Sequence, residues 1–150
     1  MTGGQCRSDD KNNGAGPCAG VKVLDLSTMV SGPMCGRILG DLGADVIKLE
    51  GNGGDMIRTM PPIYRGMSGY FMQMNRNKRG VAIDLKTAQG RALARELVMQ
   101  ADVFIENFRP GVAARLGLDY TLAATTQRPA GLRLDQRRRR RRALCRSAHL

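Results

Sequence analysis

Residues 21–50 read VKVLDLSTMVSGPMCGRILGDLGADVIKLE, and this stretch predicts the fold. It begins with a short aliphatic run, and residues 27–33 then supply a break followed by helix start signals. Apolar residues recur at three- and four-residue intervals up to Gly43, which stops the helix, before a second strand at 46–49. Two strands joined by a helix run parallel with a right-handed crossover, so the stretch predicts a βαβ unit rather than a hairpin.

The rest of the chain repeats this alternation. The further predicted elements are a strand at 81–85, a helix capped by Thr87 that runs to Gln100 with Leu93, Leu97 and Val98 on its apolar face, a strand at 102–106 and a short helix at 112–116. A glycine-rich turn at 51–55 and a loop to Gly69 separate the two halves. This order predicts an α/β fold, a Rossmann-like parallel sheet with flanking helices, whose ligand binds at the loop from Ser27 to Ser31 after the first strand.

Length and composition limit the class of protein. The chain has 150 residues, of which 42% are hydrophobic, which suits one domain with its own core. It contains no apolar run of the ~20 residues that would span a membrane and no secretory signal pattern, so we expect a cytoplasmic protein without membrane contact. Its four cysteines lack short paired spacing and its one histidine, His149, lies near the C-terminus, so we expect no metal site.

The formal net charge of +11 is concentrated at one end of the chain. Residues 1–120 hold 15 Lys and Arg against 12 Asp and Glu, whereas residues 121–150 hold 9 Arg and one Asp. We therefore divide the chain into a flexible leader at 1–19, an α/β domain at 20–120 and a basic tail at 121–150. The six consecutive arginines at 137–142 would bind nucleic acid, but without sequence specificity.

The residues alone predict no catalytic constellation. The sequence offers no Ser-His-Asp set and no carboxylate cluster at metal-ligand spacing, and we interpret Asp25 and Asp84 as structural acids within strands. The glycine-rich turn at 51–55 lacks the Gly-Lys-Ser/Thr ending of a P-loop, so we interpret it as a flexible loop. Loops that carry amides, hydroxyls and cations follow the predicted strands, and such loops suit an anionic, phosphate-bearing ligand.

Four sequence blocks carry a resemblance to a known family. They are GVKVLDLS at 20–27, LGADVIKLE at 42–50, NRNKRGVAIDLK at 75–86 and ADVFIENFRPG at 101–111. Together they resemble the class III CoA-transferases, a group that includes formyl-CoA transferase, carnitine-type CoA-transferases and α-methylacyl-CoA racemases. The resemblance covers about Gly20 to Tyr120. It implies the N-terminal, Rossmann-like part of a longer subunit, two of which interlock as a homodimer.

The resemblance also implies where coenzyme A would bind. The implied contacts are Val30, Ser31, Ile83, Asp84, Leu85, Lys86, Asn107, Phe108, Arg109 and Arg115. Arginine and lysine side chains suit the phosphates, the Phe108 ring suits the adenine, and backbone amides near Val30 suit the pantetheine end. One position departs from the family, because Gly51 stands where formyl-CoA transferase has an arginine.

The activity that the resemblance implies is transfer of CoA from an acyl-CoA to a small carboxylic acid. In the family an aspartate beyond the position of Tyr120 attacks the thioester. This chain ends before that residue, so we expect an inactive fragment with no catalytic residue of its own. Two alternatives stay open: an α-methylacyl-CoA racemase-type activity, and nonspecific nucleic-acid binding through the tail.

After Tyr120 the resemblance to the family stops. The family would continue with a buried strand similar to N-x-R-L-V-Y-A-S-I-S-G. Residues Gln127 to Arg137 can be written with permitted codons so that reading one base later gives NARLVYASIS followed by the start of a glycine codon. We therefore hypothesise that the tail is out of frame, through a pseudogene or a sequencing error.

Overall fold

The computed structural model describes residues 16–118 and the backbone of residues 132–135. The strands are β1 (Lys22–Asp25), β2 (Asp45–Glu50), β3 (Ile63–Tyr64), β4 (Met67–Ser68), β5 (Lys78–Ala82), β6 (Val103–Glu106) and β7 (Leu132–Asp135). The helices are α1 (Ser31–Asp41), α2 (Gly69–Asn75), α3 (Ala88–Gln100) and α4 (Val112–Arg115), with a 3₁₀ helix at Met56–Thr59.

The main sheet has five parallel strands in the order β5-β2-β1-β6-β7. β1 lies between β2 and β6, because Val23 pairs with Val46 on one side and with Val103 on the other. β3 and β4 form a separate antiparallel hairpin. The predicted α/β fold, a Rossmann-like parallel sheet with flanking helices, is confirmed.

Apolar cores cover both faces of the sheet, as expected for a parallel sheet whose connections are helical. On one face Leu24 belongs to a core cluster that includes Val98 of α3. On the other face Val23 belongs to a second cluster, against which Leu39 of α1 packs. The alternation of neighbouring residues in β1 between the two clusters fixes α1 and α3 on opposite sides, and this arrangement leaves the carboxyl ends of the strands accessible to their loops.

Several predicted helix ends are confirmed. Gly43 follows α1 with φ 98°, and Gly117 follows α4 with φ 66°, both in the left-handed region that glycine adopts at little cost. At the start of α3 the Thr87 Oγ1 accepts a hydrogen bond from the Gly90 N–H at 3.0 Å. The predicted cap of this helix is therefore present.

Two predictions are wrong in detail. The strand predicted at 81–85 is β5 at Lys78–Ala82, because Lys78 pairs with Val46 in the sheet and its side chain is neutralised by an ion pair beneath α1. In α3 the buried residues are Ala94 and Val98, whereas Leu93, predicted on the apolar face, is 47% exposed. The predicted Leu97 and Val98 do pack in the core, and Ala94 takes the buried position predicted for Leu93.

The segment predicted as a loop up to Gly69 contains regular structure. Asp55 caps the 3₁₀ helix, since its carboxylate accepts the Ile57 N–H at 3.2 Å, and the β3–β4 hairpin follows. α2 then begins after Ser68, whose Oγ accepts the Phe71 N–H at 3.3 Å. Sequence periodicity does not indicate α2 because Met74 is the one buried residue among its seven.

The predicted leader and tail lie largely outside the described residues. Of the leader, residues 16–19 are described, and the Cys18 N–H donates to the Leu42 carbonyl at 3.0 Å. Of the tail, the backbone of β7 is described, and it pairs in parallel with β6. The hypothesis of an out-of-frame tail therefore stays a prediction.

Candidate functional site

The candidate site lies at the carboxyl ends of β1 and β6, where the order of the sheet reverses. From β1 the chain proceeds to β2 on one side, and after β5 it returns to β6 on the other side of β1. The loops that leave these two strands, 26–30 and 107–111, are therefore neighbours. Open parallel sheets bind ligands at such a switch point.

The side chain of Asn107 joins these two loops. Its Oδ1 accepts the Thr28 N–H at 2.9 Å, and its Nδ2 donates to the Thr28 carbonyl at 2.8 Å. We call this pair of hydrogen bonds the amide bridge. Gly32 in the first turn of α1 lies against it, since a Cβ there would be 3.5 Å from the Asn107 Cγ. The amide bridge thus brings the predicted contacts Val30 and Ser31, both exposed, close to Asn107.

A small cleft opens beside the amide bridge. Its lining includes Thr28 from the loop after β1, Gly51 after β2, and the predicted contacts Leu85 and Phe108. The cleft volume is about 110 Å³. Small-molecule pockets typically measure roughly 300–1,000 Å³, so this cleft encloses at most a part of a coenzyme-sized ligand.

The predicted contacts at 83–86 differ in exposure. Ile83 is 7% exposed and packs in the core, while its N–H donates to the Glu50 carbonyl at 2.9 Å. The Asp84 Oδ1 accepts the Lys86 N–H at 2.9 Å, which turns the chain toward α3. The Lys86 side chain is exposed. Within this segment the Ile83 side chain thus belongs to the core, and Lys86 presents a charge to solvent.

Three predicted phosphate contacts are exposed cations: Lys86, Arg109 and Arg115. None of them forms an ion pair with another described residue. Arg109 directly follows Phe108, which lines the cleft, and Arg115 lies in the last turn of α4. Cations without a protein counter-charge suit an anionic ligand.

Beneath the loops lies a buried ion pair that sequence reasoning missed. The Asp25 carboxylate is completely buried. Its Oδ2 accepts a hydrogen bond from the Lys78 ammonium at 2.7 Å, and its Oδ1 accepts one from the Ser27 N–H at 3.0 Å. Lys78 also donates to the Pro33 carbonyl at 2.7 Å and to the Asn75 Oδ1 at 2.9 Å. Burial lowers the pKa of Lys78, and the Asp25 carboxylate opposes that shift.

Lys48 and Asp55 form a second buried ion pair, with 3.3 Å between Nζ and Oδ2. The Lys48 ammonium also donates to the Ser27 carbonyl. The Asp55 carboxylate accepts the Met29 N–H at 3.1 and 3.2 Å. The turn at 51–55, which was predicted to be flexible, is thus anchored by Asp55. A lysine within the apolar run VIKLE was the one sequence signal of this pair.

Neither a metal site nor a membrane span is found in the part of the chain that the structure describes. Its His, Cys, Asp and Glu side chains include no group of three that could hold a metal ion. No described helix combines the length and apolar character needed to cross a bilayer.

Burial raises the pKa of the Cys35 thiol, and the nearby Asp25 adds to that shift.

Comparison with known proteins identifies relatives of this chain. The family model described as CoA-transferase family III matches residues 18–128, and so continues past Tyr120. Succinyl-CoA:glutarate CoA-transferase of Homo sapiens is 42% identical over 116 residues, which cover 76% of this chain. Acetyl-CoA:oxalate CoA-transferase of Acetobacter aceti is 46% identical over 106 residues, which cover 70% of this chain. A crystal structure of a CAIB/BAIF family protein from Brucella suis superimposes with a TM-score of 0.69 at 43% identity over 74% of this chain.

The chain is much shorter than these proteins. It spans 26% and 27% of the length of the two transferases and 31% of the Brucella suis protein. The matched region nevertheless contains the whole candidate site, from the loop after β1 to α4. The resemblance read from the four sequence blocks is confirmed. The chain belongs to CoA-transferase family III.

Proposed function

We propose that this chain forms the coenzyme A-holding face of an enzyme that transfers CoA from an acyl-CoA to a small carboxylic acid. The observation that carries the proposal is the amide bridge. It fastens the loop before Val30 and Ser31 to the loop that contains Asn107 and Phe108, at the switch point of the sheet. Family membership supports the same ligand, because the relatives' names are those of CoA-transferases.

The exposed groups around the amide bridge match the parts of coenzyme A. Lys86, Arg109 and Arg115 are exposed cations that suit its phosphates. Phe108 is half-buried at the cleft, where its ring can pack on the adenine. Backbone amides near Val30 suit the pantetheine amides. Gly51 lines the cleft without a side chain, so Lys86, Arg109 and Arg115 supply the phosphate contacts in this proposal.

Transfer is favoured over racemisation by the relatives. The two described above are named for transfer between succinyl-CoA and glutarate and between acetyl-CoA and oxalate. We therefore propose acyl-CoA and a small carboxylic acid as the partners of the full-length family subunit. The interlocked homodimer, the cytoplasmic location and nonspecific nucleic-acid binding through the tail stay predictions.

Calorimetric titration of the 150-residue chain with CoA tests the proposal. We expect saturable binding by the unchanged chain. Arg109→Ala should raise the Kd about tenfold or more, because a charge-assisted hydrogen bond to phosphate contributes about 1.5–3 kcal/mol. The matched control is Arg79→Ala, which removes another exposed arginine, one that pairs with Asp45 near the amino ends of the strands.

Two results would overturn the proposal. One is the absence of CoA binding by the unchanged chain. The other is an equal loss of affinity in Arg109→Ala and Arg79→Ala, since that outcome would mean that CoA responds to overall charge and not to the loops after β1 and β6.

A further inference from the structure

In the loop after β1, the backbone of three consecutive residues, 27–29, is held by hydrogen bonds to side chains from other parts of the fold. The Lys48 ammonium donates a hydrogen bond to the Ser27 carbonyl, and the Asp55 carboxylate accepts one from the Met29 N–H. Between them, both backbone groups of Thr28 are engaged in the amide bridge. Three consecutive residues are therefore fixed from β2, from the turn after β2 and from the loop after β6.

The buried Lys48–Asp55 ion pair and the backbone conformation of Met29 both carry a cost in stability. Lys48 is 2% exposed and Asp55 is 3% exposed, and burying two charges has a desolvation cost that their mutual attraction need not recover. Met29 has φ 68°, in the left-handed region, where a residue with a side chain is strained. Strain of this kind persists where the surroundings impose it, and here the Asp55 carboxylate holds the Met29 N–H.

The strained residue directly precedes the predicted coenzyme contacts. Val30 and Ser31 are exposed, and Ser31 begins α1. We propose that Lys48 and Asp55 are positioning residues, whose ion pair holds residues 27–29 in the conformation that presents Val30 and Ser31 to coenzyme A. This inference rests on the proposed function. A loop already in its bound shape loses little entropy on binding, and the affinity depends on that preorganisation.

The test compares two variants of the 150-residue chain by amide hydrogen exchange and by CoA titration. Asp55→Asn keeps the shape of the side chain but removes the charge. The double variant Lys48→Met with Asp55→Asn removes both charges together, so that no unpaired charge remains buried and the fold is retained. In both variants we expect exchange at the Met29 amide to accelerate about tenfold or more, and the Kd for CoA to rise about tenfold or more.

Asp41→Asn is the matched control. The Asp41 carboxylate also accepts several hydrogen bonds, from Arg76 and Asn77, but it lies at the other end of α1. We expect its CoA affinity and its exchange at Met29 to equal those of the unchanged chain. A merely structural role for Lys48 and Asp55 would change the melting temperature and leave the Kd of folded protein unchanged.

The outcomes separate this inference from the proposed function. If the unchanged chain binds CoA and the folded double variant binds equally well, the positioning role is wrong and the proposed function stands. If the Met29 amide of the unchanged chain exchanges as fast as an unprotected loop amide, the positioning role is likewise wrong. If the unchanged chain does not bind CoA, the proposed function fails and the positioning role fails with it.

Discussion

Glu50 shows how one side chain at the end of β2 organises the turn that follows. Its Oε1 accepts the Asp55 N–H at 2.8 Å and the Arg58 Nε–H at 3.0 Å, and its Oε2 accepts the Arg58 Nη2 at 2.5 Å. The Arg58 guanidinium also lies 3.7 Å from the centroid of the Phe71 ring. Burial raises the pKa of Glu50, but the hydrogen bonds from Arg58 and Asp55 lower it by more, so the pKa lies below its ordinary value of 4.5.

We expect Glu50→Gln to lower the free energy of unfolding by roughly 1 kcal/mol at neutral pH, a modest value because Arg58 is half-exposed. A carboxyl group with a lowered folded pKa stabilises the fold above its unfolded pKa, and this contribution is lost as the pH falls through the folded pKa. The difference between the unchanged chain and Glu50→Gln should therefore be full above the ordinary pKa of 4.5 and shrink as the pH falls below it, through the lowered folded pKa. Urea denaturation across this range measures it.

Asp45→Asn, at the other end of β2, is the control for Glu50→Gln. Asp45 pairs with Arg79, and both side chains are largely exposed, so its loss should cost less than about 0.5 kcal/mol. A stability loss in Glu50→Gln that stayed constant as the pH fell well below 4.5 would contradict the role assigned to the ionised carboxylate.

At the residue scale the sequence indicates which groups follow each strand but not which of them meet. The block ADVFIENFRPG places Asn107 and Phe108 directly after a buried strand, and the structure agrees. The contact between Asn107 and Thr28 depends on β1 and β6 being neighbours, which local patterns do not encode. For the same reason the sequence does not show that Lys48 pairs with Asp55 or that Lys78 pairs with Asp25, since each ion pair joins different elements of the fold.

At the element scale, α1 packs on the sheet through glycines spaced four residues apart. A Cβ at Gly36 would lie 2.8 Å from the Asp25 Oδ2 and 3.3 Å from the Lys78 Cε. A Cβ at Gly40 would lie 3.2 Å from the Asn77 carbonyl oxygen. The helix therefore rests directly on the buried Asp25–Lys78 ion pair, and its position sets the entry angle of the loop before it.

We expect Gly36→Ala to destabilise the protein by about 1–3 kcal/mol, because the added methyl group displaces either α1 or the Asp25–Lys78 pair. The sign of the change in the free energy of unfolding tests the close packing, because alanine in place of glycine within a helix ordinarily stabilises a protein by about 1 kcal/mol. Thermal unfolding followed by circular dichroism measures the change.

The control for Gly36→Ala is Met34→Ala in the same helix. Met34 is 39% exposed, so its replacement should change stability by no more than about 0.5 kcal/mol. An unchanged or raised melting temperature in Gly36→Ala would show that α1 has room to move, and the close packing would then not be needed.

The accuracy of the element predictions follows the clarity of each hydrophobic pattern. β2 and β6 are recognisable because their apolar residues bury in the two cores, and α1 because its start and stop signals flank Cys35 and Leu39, which pack against the second core. Ile38 and Leu42, which share the helical spacing, are exposed. β5 begins earlier than predicted because Lys78 occupies a buried position that periodicity assigns to a turn. α2 is missed because Met74 is its one buried residue, while Tyr70 and Met72 are exposed.

At the scale of the whole molecule, the excess positive charge and the candidate site belong to different parts of the chain. The six ion pairs of the described residues join six lysine and arginine side chains to carboxylates, and three of those cations, Lys48, Lys78 and Arg79, lie on strands of the sheet. The remaining excess resides mainly in residues 121–150. Affinity for phosphate in this protein therefore has two separable sources, the cations beside the amide bridge and the arginines of the tail.

Deletion of residues 136–150 separates these two sources while keeping β7. The deletion removes seven arginines and no acidic residue, so the formal net charge falls from +11 to +4. We expect the full chain to bind duplex DNA of any sequence and to lose about 10³-fold or more of that affinity between about 50 and 200 mM salt, because each arginine–phosphate contact releases counterions. The shortened chain should bind DNA far more weakly and with a much smaller dependence on salt, whereas its Kd for CoA should stay unchanged.

Fluorescence anisotropy with a labelled duplex and calorimetry with CoA measure the two affinities. Equal DNA binding by both chains would assign nucleic-acid affinity to residues 1–135, and a parallel loss of CoA affinity would place the coenzyme's phosphates on the tail instead of at Lys86, Arg109 and Arg115.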